Sequence, residues 1–404
     1  MTTPLRVMVV EDTITYRMIL KKVLEEIPGI EVVATASNGQ LALAKIPSVK
    51  PDVVLLDVEM PVMDGITTLK RLSETHADIT VVMVSGLSRT NANIVIECLN
   101  AGALDFVTKP LESSPNRAQE ALKRDLEPIL SVIQRRGPAS EPSAKSVAAP
   151  TPRAPSSAPP PPPAGRQSPP APRPGVARGP LGRDSHRDKG QGETARRPSA
   201  ATPTAPFVSG KKGPRPDILL IGSSTGGPAA LASVLGSIGQ KLPIPTMIVQ
   251  HMPPVFTASL AQQLSRSSGM DVREAEDDMP VMPGEVILAM GGKHLAVKMR
   301  DNRLHTVLNN APKVNECRPA VDVLFMSVMA AFTGNMLAVI LTGMGRDGTN
   351  GVDAIKRTGR GYCITQDKHS CVVYGMPRSV DEMNLSDESV PLSRIGARIL
   401  ELCK

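Results

Sequence analysis

The N-terminal third of the chain alternates short apolar runs with segments in which apolar residues recur every three or four positions. Continuous apolar strands separated by amphipathic helices are typical of a parallel sheet covered on both faces. The pattern repeats five times and predicts a five-stranded, doubly wound α/β domain. The predicted strands are 5–10, 32–36, 53–56, 79–84 and 104–107, and the predicted helices are 14–27, 41–46, 66–72, 94–99 and 117–135.

The same alternation returns after residue 213 and predicts a second α/β domain with a mostly parallel sheet. Turn residues are dense between 280 and 310, where short apolar runs indicate an antiparallel hairpin. Strands are predicted at 218–221, 247–249, 286–289, 295–297 and 337–341, and helices at 229–235, 257–264 and 351–355.

The segment between the two α/β regions has a different composition. Residues 137–213 contain 18 Pro, five of them consecutive, and few large apolar residues. Such a segment buries too little apolar surface to offset its ordering entropy, so it is predicted to be a disordered Pro/Ala/Arg-rich linker. The predicted domains are therefore 1–136 and 214–404, joined by this linker.

Charge and composition exclude several classes of protein. The chain has a net charge of +7, but residues 137–213 alone carry 12 Lys and Arg against 4 Asp and Glu, so both α/β regions are near neutral. That balance, with five Phe, three Tyr and no Trp, argues against a nucleic-acid partner. Five cysteines without CxxC spacing fit a reducing compartment. No signal segment and no apolar stretch of about 20 residues is present, so we expect a cytoplasmic protein without membrane insertion.

Polar residues end several predicted strands of the first domain, and such strand ends meet at one edge of a doubly wound sheet. Clustered carboxylates suit Mg²⁺, and a carboxylate beside the ion can attack a phosphoryl group. A lysine would pair with the product, and a hydroxyl would accept rearranged hydrogen bonds. The residues concerned are Glu11, Asp12, Asp57, Ser85 and Lys109.

Residues 5–125 resemble a response-regulator receiver domain. The resemblance is carried by the segments 9–12 (VVED), 55–65 (LLDVEMPVMDG), 84–85 (VS) and 107–110 (VTKP). It implies that a partner histidine kinase phosphorylates Asp57, that Asp12 and Asp57 bind Mg²⁺, and that Phe106 reorients on activation. The family usually has Asp in the place of Glu11, so Glu11 is the less secure ligand of the acidic pair.

The second domain contains Gly222-Ser223-Ser224-Thr225-Gly226, which fits G-x-S-x-G. A glycine-flanked turn between strand and helix exposes a serine and aims backbone N–H groups at developing negative charge, although similar turns also cradle phosphates. Asp347 is the candidate acid. The base is His251 at a predicted strand end, or His369 if the chain order is serine, acid, histidine. His294 and His305 are predicted to be surface residues.

Residues 217–402 are similar to the catalytic domain of chemotaxis protein-glutamate methylesterases. The matching segments are 221–228 (IGSSTGGP), 250–257 (QHMPPVFT), 318–325 (RPAVDVLF) and 341–348 (LTGMGRDG). The resemblance implies a triad of Ser224, His251 and Asp347. Backbone N–H groups near Thr225 and Met344 are the candidate oxyanion donors, and no cofactor is expected for the esterase.

Together the two resemblances imply a phosphorylation-activated hydrolase that demethylates glutamate 5-methyl esters on chemoreceptors and deamidates specific receptor glutamines. We expect the unphosphorylated receiver to pack over the Ser224 cleft and to release it on phosphorylation. Two alternatives remain at this point: a transcriptional regulator with a DNA-binding output domain, and a serine hydrolase for small esters or lipids.

Overall fold

The computed structural model describes residues 3–110, 114–136 and 213–404. The predicted disordered linker lies outside these residues, except for Gly213. Both α/β regions belong to one compact unit. No helix within the three described ranges is long and apolar enough to cross a membrane.

The first region forms the predicted five-stranded parallel sheet with helices between the strands. Its sheet order is β2-β1-β3-β4-β5, so the doubly wound prediction is confirmed. The elements in chain order are β1 (Leu5–Val10), α1 (Ile14–Glu25), β2 (Ile30–Ala36), α2 (Gly39–Val49), β3 (Val53–Asp57), α3 (Gly65–Thr75), β4 (Thr80–Ser85), α4 (Arg89–Asn100), β5 (Asp105–Thr108) and α5 (Pro115–Arg136).

The central strand β3 shows why the sequence folds in this way. All five residues of Val53–Asp57 are buried, as expected for a strand with helices on both faces. Three helices begin at polar N-cap residues, because the side chains of Asn38, Asp64 and Ser88 accept hydrogen bonds from backbone N–H groups in the first turns.

The second region forms a seven-stranded, all-parallel sheet and a separate antiparallel hairpin, as predicted. Asp301 and Asn302, both at positive φ, make the two-residue hairpin turn. The elements are β6 (Ile218–Ser223), α6 (Gly227–Ile238), β7 (Thr246–Gln250), α7 (Phe256–Ser268), β8 (Asp271–Glu274), β9 (Glu285–Leu288), β10 (His294–Arg300), β11 (Arg303–Asn309), α8 (Val321–Ala331), β12 (Met336–Ile340), α9 (Thr349–Arg357), β13 (Gly361–Gln366), α10 (Met376–Glu382), β14 (Glu388–Val390) and α11 (Leu392–Leu402).

Each sheet has a point at which the order of its strands reverses. In the first sheet β1 lies between β2 and β3, and in the second, ordered β14-β13-β12-β6-β7-β9-β8, β6 lies between β12 and β7. Loops leave such a switch point in opposite directions and open a crevice at the carboxyl ends of the strands. Glu11, Asp12 and Asp57 lie at the carboxyl ends of β1 and β3, and Ser224 and His251 follow β6 and β7, so each set of candidate site residues has members at such a point.

Candidate active site and phosphoacceptor site

The acidic residues of the first domain converge on one lysine. Lys109 Nζ lies 2.8 Å from Asp57 Oδ2 and 2.8 Å from Glu11 Oε2. Glu11 and Asp57 are buried, and burial raises the pKa of both carboxyl groups, although their hydrogen bonds with Lys109 oppose that shift. Lys109 therefore holds two desolvated carboxylates together at the end of the sheet.

Glu11, Asp12 and Asp57 also fit a divalent cation. Each offers a carboxylate oxygen, and these oxygens lie within 4.8 Å of one another. An all-oxygen set with water access through the more exposed Asp12 suits Mg²⁺, a hard cation that keeps part of its water shell. The acidic cluster is thus able to bind such an ion.

Ser85 and Phe106, which together with Lys109 are the predicted switch residues of the receiver, lie on neighbouring strands. Ser85 is buried at the end of β4, where its hydroxyl donates to Gly86 O at 3.1 Å, and its carbonyl accepts from Lys109 N at 2.7 Å. Phe106 on β5 is half-buried, and its ring contacts that of Phe256 on α7, with centroids 4.5 Å apart. Ser85 is therefore joined to the backbone of Lys109, and Phe106 reaches the second domain.

The base and the acid of the predicted triad form an ion pair. His251 Nε2 lies 2.7 Å from Asp347 Oδ2, and both side chains are largely buried. The Asp347 carboxylate also accepts from Val321 N at 2.6 Å and from Asn315 Nδ2 at 2.8 Å. Asp322 N also donates to Asp347 Oδ1 at 3.2 Å. Three donors besides His251 therefore orient this carboxylate, so it can fix the orientation of the imidazole.

Electrostatics stabilise the charged form of this pair. Burial alone would lower the pKa of His251, but hydrogen bonds with Asp347 and Cys317 raise it to about 9. Burial likewise opposes ionisation of Asp347, yet the hydrogen bonds from His251, Val321 N and Asn315 lower the pKa of the carboxyl. An imidazolium is therefore favoured near neutral pH.

Ser224 follows β6 at the centre of the sheet, beside the strand that leads to His251. The strand-end backbone is paired, because His251 N donates to Ser223 O at 3.1 Å and Ser224 N donates to Thr342 O at 3.1 Å. Within the described ranges, the side-chain hydrogen bonds of His251 go to Asp347 and Cys317, and none joins it to the Ser224 hydroxyl. The serine is adjacent to the base in the fold but not engaged with it.

Gln250 joins the two loops and was missed by the sequence analysis. Its amide accepts from the Ser223 hydroxyl at 2.7 Å and donates to Ser224 O at 2.9 Å and His251 O at 3.2 Å. A Cβ at Gly227 would lie 1.9 Å from Gln250 Oε1, so only glycine allows this approach. The sequence feature that could have indicated this role is a glutamine at the end of an otherwise apolar strand.

Asn315 and Cys317 were also missed. They lie on the turn 314–317, in which Val314 and Cys317 exchange backbone hydrogen bonds of 3.1 and 2.9 Å. Asn315 adopts a positive φ of 51° and bridges Asp347 to Asp322, whose Oδ2 atom is 3.0 Å away. This turn connects β11 to α8, so no strand end in the sequence pointed to it.

The two candidate oxyanion donors flank Ser224 in the fold. Thr225 follows Ser224 directly, and Met344 follows Gly343, which lies against the Ser224 side chain. Across the described ranges, neither Thr225 N nor Met344 N has a backbone acceptor. Two amides beside a serine that have no backbone acceptor in the described part of the chain are suited to stabilising negative charge.

The receiver-like sheet contacts this serine turn directly. The Thr225 side chain interacts with the Asp105 carboxyl on β5, and α4 packs against α6 and α7. Burial at the contact raises the pKa of Asp105 to about 6, and the hydrogen bonds from Thr225 and Phe106 N oppose that shift. The turn that carries the candidate nucleophile is therefore part of an interface.

The remaining histidines have different environments. His294 is fully buried with Nε2 3.0 Å from Pro312 O, so the prediction of a surface residue was wrong. The pleat of β10 turns its side chain inward, where Nε2 meets the Pro312 carbonyl while Nδ1 has no hydrogen-bond partner within the described ranges. His305 is half-buried, with Nδ1 3.0 Å from Asp278 O. His369 is exposed, and Asp347 is paired with His251 instead.

A lysine-bridged acidic cluster on one parallel sheet and a histidine–aspartate pair beside a serine on another define a response regulator with a hydrolase-type output domain. Residues 7–122 match the response regulator receiver domain model, and residues 219–399 match the CheB methylesterase model. The chain is 39% identical over 99% of its length to a protein-glutamate methylesterase/protein-glutamine glutaminase of Desulfotalea psychrophila, of which 99% is covered. It belongs to this family of enzymes.

Further relatives cover the chain as a whole or one domain at a time. A protein-glutamate methylesterase/protein-glutamine glutaminase of Trichodesmium erythraeum is 34% identical over 98% of both chains. The solved CheB methylesterase catalytic domain of Thermotoga maritima is 42% identical, and the match covers 46% of this chain and 98% of that one, with a TM-score of 0.45. The solved response regulator domain of Thermotoga maritima CheB is 37% identical, covering 34% and 99%, with a TM-score of 0.29.

Proposed function

We propose that the chain is a phosphorylation-activated serine hydrolase that removes methyl groups from glutamate 5-methyl esters of chemoreceptors. The same site would deamidate specific receptor glutamines and so serve adaptation in chemotaxis-type signalling. The observation that carries this proposal is the His251–Asp347 pair, 2.7 Å apart, beside Ser224 at the switch point of the sheet. Family membership supplies the substrate class.

In the proposed reaction Ser224 attacks the ester carbonyl while His251 takes its proton. Because Asp347 binds Nε2, the acceptor for that proton is Nδ1, and the Ser224 hydroxyl must reach it when substrate binds. The amides of Thr225 and Met344 would stabilise the oxyanion, each worth about 3 kcal/mol in the transition state. Methanol leaves from an ester and ammonia from a glutamine, and water then releases the acyl group as glutamate.

In the receiver domain, we propose that Asp57 is phosphorylated by a chemotaxis histidine kinase. Glu11, Asp12 and Asp57 would hold Mg²⁺, which offsets charge on the incoming phosphoryl group. Lys109 already contacts Asp57 and would pair with the product phosphate. Ser85 and Phe106 would then rearrange.

Control would act through the contact between the two domains. Phe106 against Phe256 and Asp105 against Thr225 link the switch strand β5 to the serine turn. Movement of Phe106 upon phosphorylation would weaken this contact and open the cleft. A free-energy difference of a few kcal/mol between the two states is enough for such a shift.

We further propose domain boundaries of 1–136 for the receiver, 137–213 for the disordered linker and 214–404 for the esterase. The near-neutral charge of both domains supports a protein partner rather than nucleic acid. We also propose a cytoplasmic protein that meets the receptor without inserting into the membrane.

The test measures methanol release from receptor membranes that carry methylated glutamates, with acetyl phosphate as phosphodonor. Wild type should release methanol, Ser224→Ala should not, and Asp57→Ala should lose the stimulation by phosphodonor but keep the basal rate. Turnover of small esters with no release from receptor would favour a general esterase instead. Specific DNA binding by the full chain would favour a transcriptional regulator.

A further inference from the structure

Cys317 lies beside the ring nitrogen of His251 that is not bound to Asp347. Its Sγ lies 3.4 Å from His251 Nδ1, while Nε2 is bound to Asp347. Thiol, imidazole and carboxylate thus form a continuous relay. A nucleophile in reach of a base that a third group orients is the arrangement of covalent catalysis, and it recurs with cysteine on unrelated folds.

The backbone around Cys317 holds the thiol in this position. Val314 and Cys317 close the turn through two backbone hydrogen bonds, and Asn315 and Glu316 between them both have positive φ. Asn315 fixes the same turn to the Asp347 carboxylate at 2.8 Å. The turn therefore positions the thiol relative to both members of the pair.

The other cysteines are in contrasting environments. Cys317 is partly exposed, whereas Cys98, Cys363, Cys371 and Cys403 are buried. Burial raises the pKa of Cys98 to about 12 and also raises that of Cys363 and Cys403. Buried thiols of this kind are inert, because the thiolate is the reactive species. Cys317 alone combines access with an adjacent base.

We propose that Cys317 is a second nucleophile that shares His251 and Asp347 with Ser224, and that it captures small disulfides. When His251 is neutral, the thiol proton passes to its Nδ1, and the thiolate attacks one sulfur of the disulfide. A new S–S bond forms to Cys317 as the original S–S bond breaks. The leaving half departs with the bonding electron pair and is protonated, so Cys317 is oxidised and half of the disulfide is reduced.

Capture has a consequence for the esterase, and this part rests on the proposed function. A mixed disulfide on Cys317 places a bulky group beside Nδ1, the nitrogen that Ser224 needs. The esterase is then inactive until a thiol reductant removes the group. The site would therefore make hydrolysis sensitive to the thiol–disulfide balance around the protein.

Labelling tests the nucleophile without reference to esterase activity. Full-length protein is mixed with 5,5′-dithiobis(2-nitrobenzoate), and release of thionitrobenzoate is followed by absorbance. Wild type should release one rapid equivalent per chain and five after denaturation, matching its five cysteines. Cys317→Ser should lose the rapid equivalent, and the matched control Cys403→Ser should keep it. A rapid equivalent that survives in Cys317→Ser, or none in wild type, overturns the proposal.

A second arm separates an activated thiol from one that is merely exposed. His251→Gln should slow the rapid equivalent by about tenfold or more, because the base that takes the proton is gone. Circular dichroism and the total of five thiols after denaturation check that this variant is folded and intact. An unchanged labelling rate in folded His251→Gln refutes the relay.

The last arm measures methanol release from methylated receptor before and after labelling. Labelled wild type should lose activity and recover it with dithiothreitol, whereas Cys317→Ser treated in the same way should keep its own rate. Full activity in labelled wild type would show that Ser224 and Cys317 do not share His251. If unlabelled protein releases no methanol, the proposed function fails, while the labelling result still stands on its own.

Discussion

The two switch points of this molecule differ in how completely their polar groups are satisfied by each other. In the receiver domain, Lys109 contacts both Asp57 and Glu11 at 2.8 Å. In the esterase domain, His251 and Asp347 are paired at 2.7 Å, but the Ser224 hydroxyl is not joined to them. The same sheet geometry therefore supports one site in which two buried carboxylates contact one lysine, and one site in which, among the described residues, Ser224 is not hydrogen-bonded to the histidine–aspartate pair.

The difference follows from what each site has to receive. In the proposed phosphorylation, the receiver rearranges the contact between Lys109 and Asp57 around an incoming phosphoryl group, and the lysine offsets part of the carboxylate charge beforehand. In the proposed hydrolysis, the His251–Asp347 pair has to stay oriented while the serine reacts, and donors from Val321 and Asn315 hold the carboxylate in place. The fixed charges of His251 and Asp347 would assist the proposed hydrolysis, whereas the ion pair between Lys109 and Asp57 would have to rearrange during the proposed phosphorylation.

The largest expected effect comes from removing the charge that orients His251. Asp347→Asn should lower methanol release by roughly 10⁴-fold, because the carboxamide would stabilise the wrong tautomer and no longer the imidazolium. Asp271→Asn, at an exposed strand, is the matched control and should leave the rate unchanged. A loss of less than tenfold in a folded Asp347→Asn variant would mean that this aspartate is not the orienting acid.

The pH dependence tests whether the base carries a proton at rest. Since the pKa of His251 is raised to about 9, the neutral base is scarce at pH 7. The rate should rise roughly tenfold per pH unit and level off above about pH 9. Methanol release is measured from pH 6 to 10 with Ser224→Ala as the chemical background. Cys317→Ala should shift the midpoint to lower pH, and a plateau already reached at pH 7 would contradict the raised value.

Asn315 helps to orient the Asp347 carboxylate, and its removal is expected to have a smaller effect on the rate. Asn315→Ala removes the donor 2.8 Å from Asp347 Oδ1. Loss of a hydrogen bond to a charged group costs about 1.5 kcal/mol or more, so the rate should fall about tenfold. Asn310→Ala, in the exposed stretch nearby, serves as control. Equal rates for both variants would show that the turn does not position the acid.

The smallest effect is expected at the interface between the sites. Phe106→Ala removes the ring that lies 4.5 Å from Phe256. Such a contact is worth about 1 kcal/mol beyond buried area, so the unphosphorylated rate should rise by roughly three- to tenfold. The rate of the phosphorylated variant should stay near that of phosphorylated wild type. The ratio of the phosphorylated to the unphosphorylated rate should therefore be smaller in the variant. An unchanged unphosphorylated rate would argue against control through this contact.

The sequence predicted both sheets, because apolar runs and the points at which they end carry that signal. Strand ends left both His251 and His369 open as the base, and the set of Ser224, His251 and Asp347 comes from the family resemblance. The sequence alone did not choose between the two histidines. It did not predict Asn315 and Cys317, which a turn far from any strand end brings against the pair. It also could not decide whether thiol or hydroxyl faces Nδ1, because that choice depends on side-chain positions rather than periodicity. We expected His294 at the surface because it lies in a turn-rich segment. The sequence pattern there does not show that His294 is on the inward-facing side of a strand.

Gln250 has a consequence for how the esterase domain can move. Its single side-chain amide holds the loop of the nucleophile and the loop of the base at once, through Ser224 O and His251 O. The two loops are therefore coupled through one side chain, so that a displacement of one loop is transmitted to the other. An opening of the cleft that keeps these two hydrogen bonds would move both loops together.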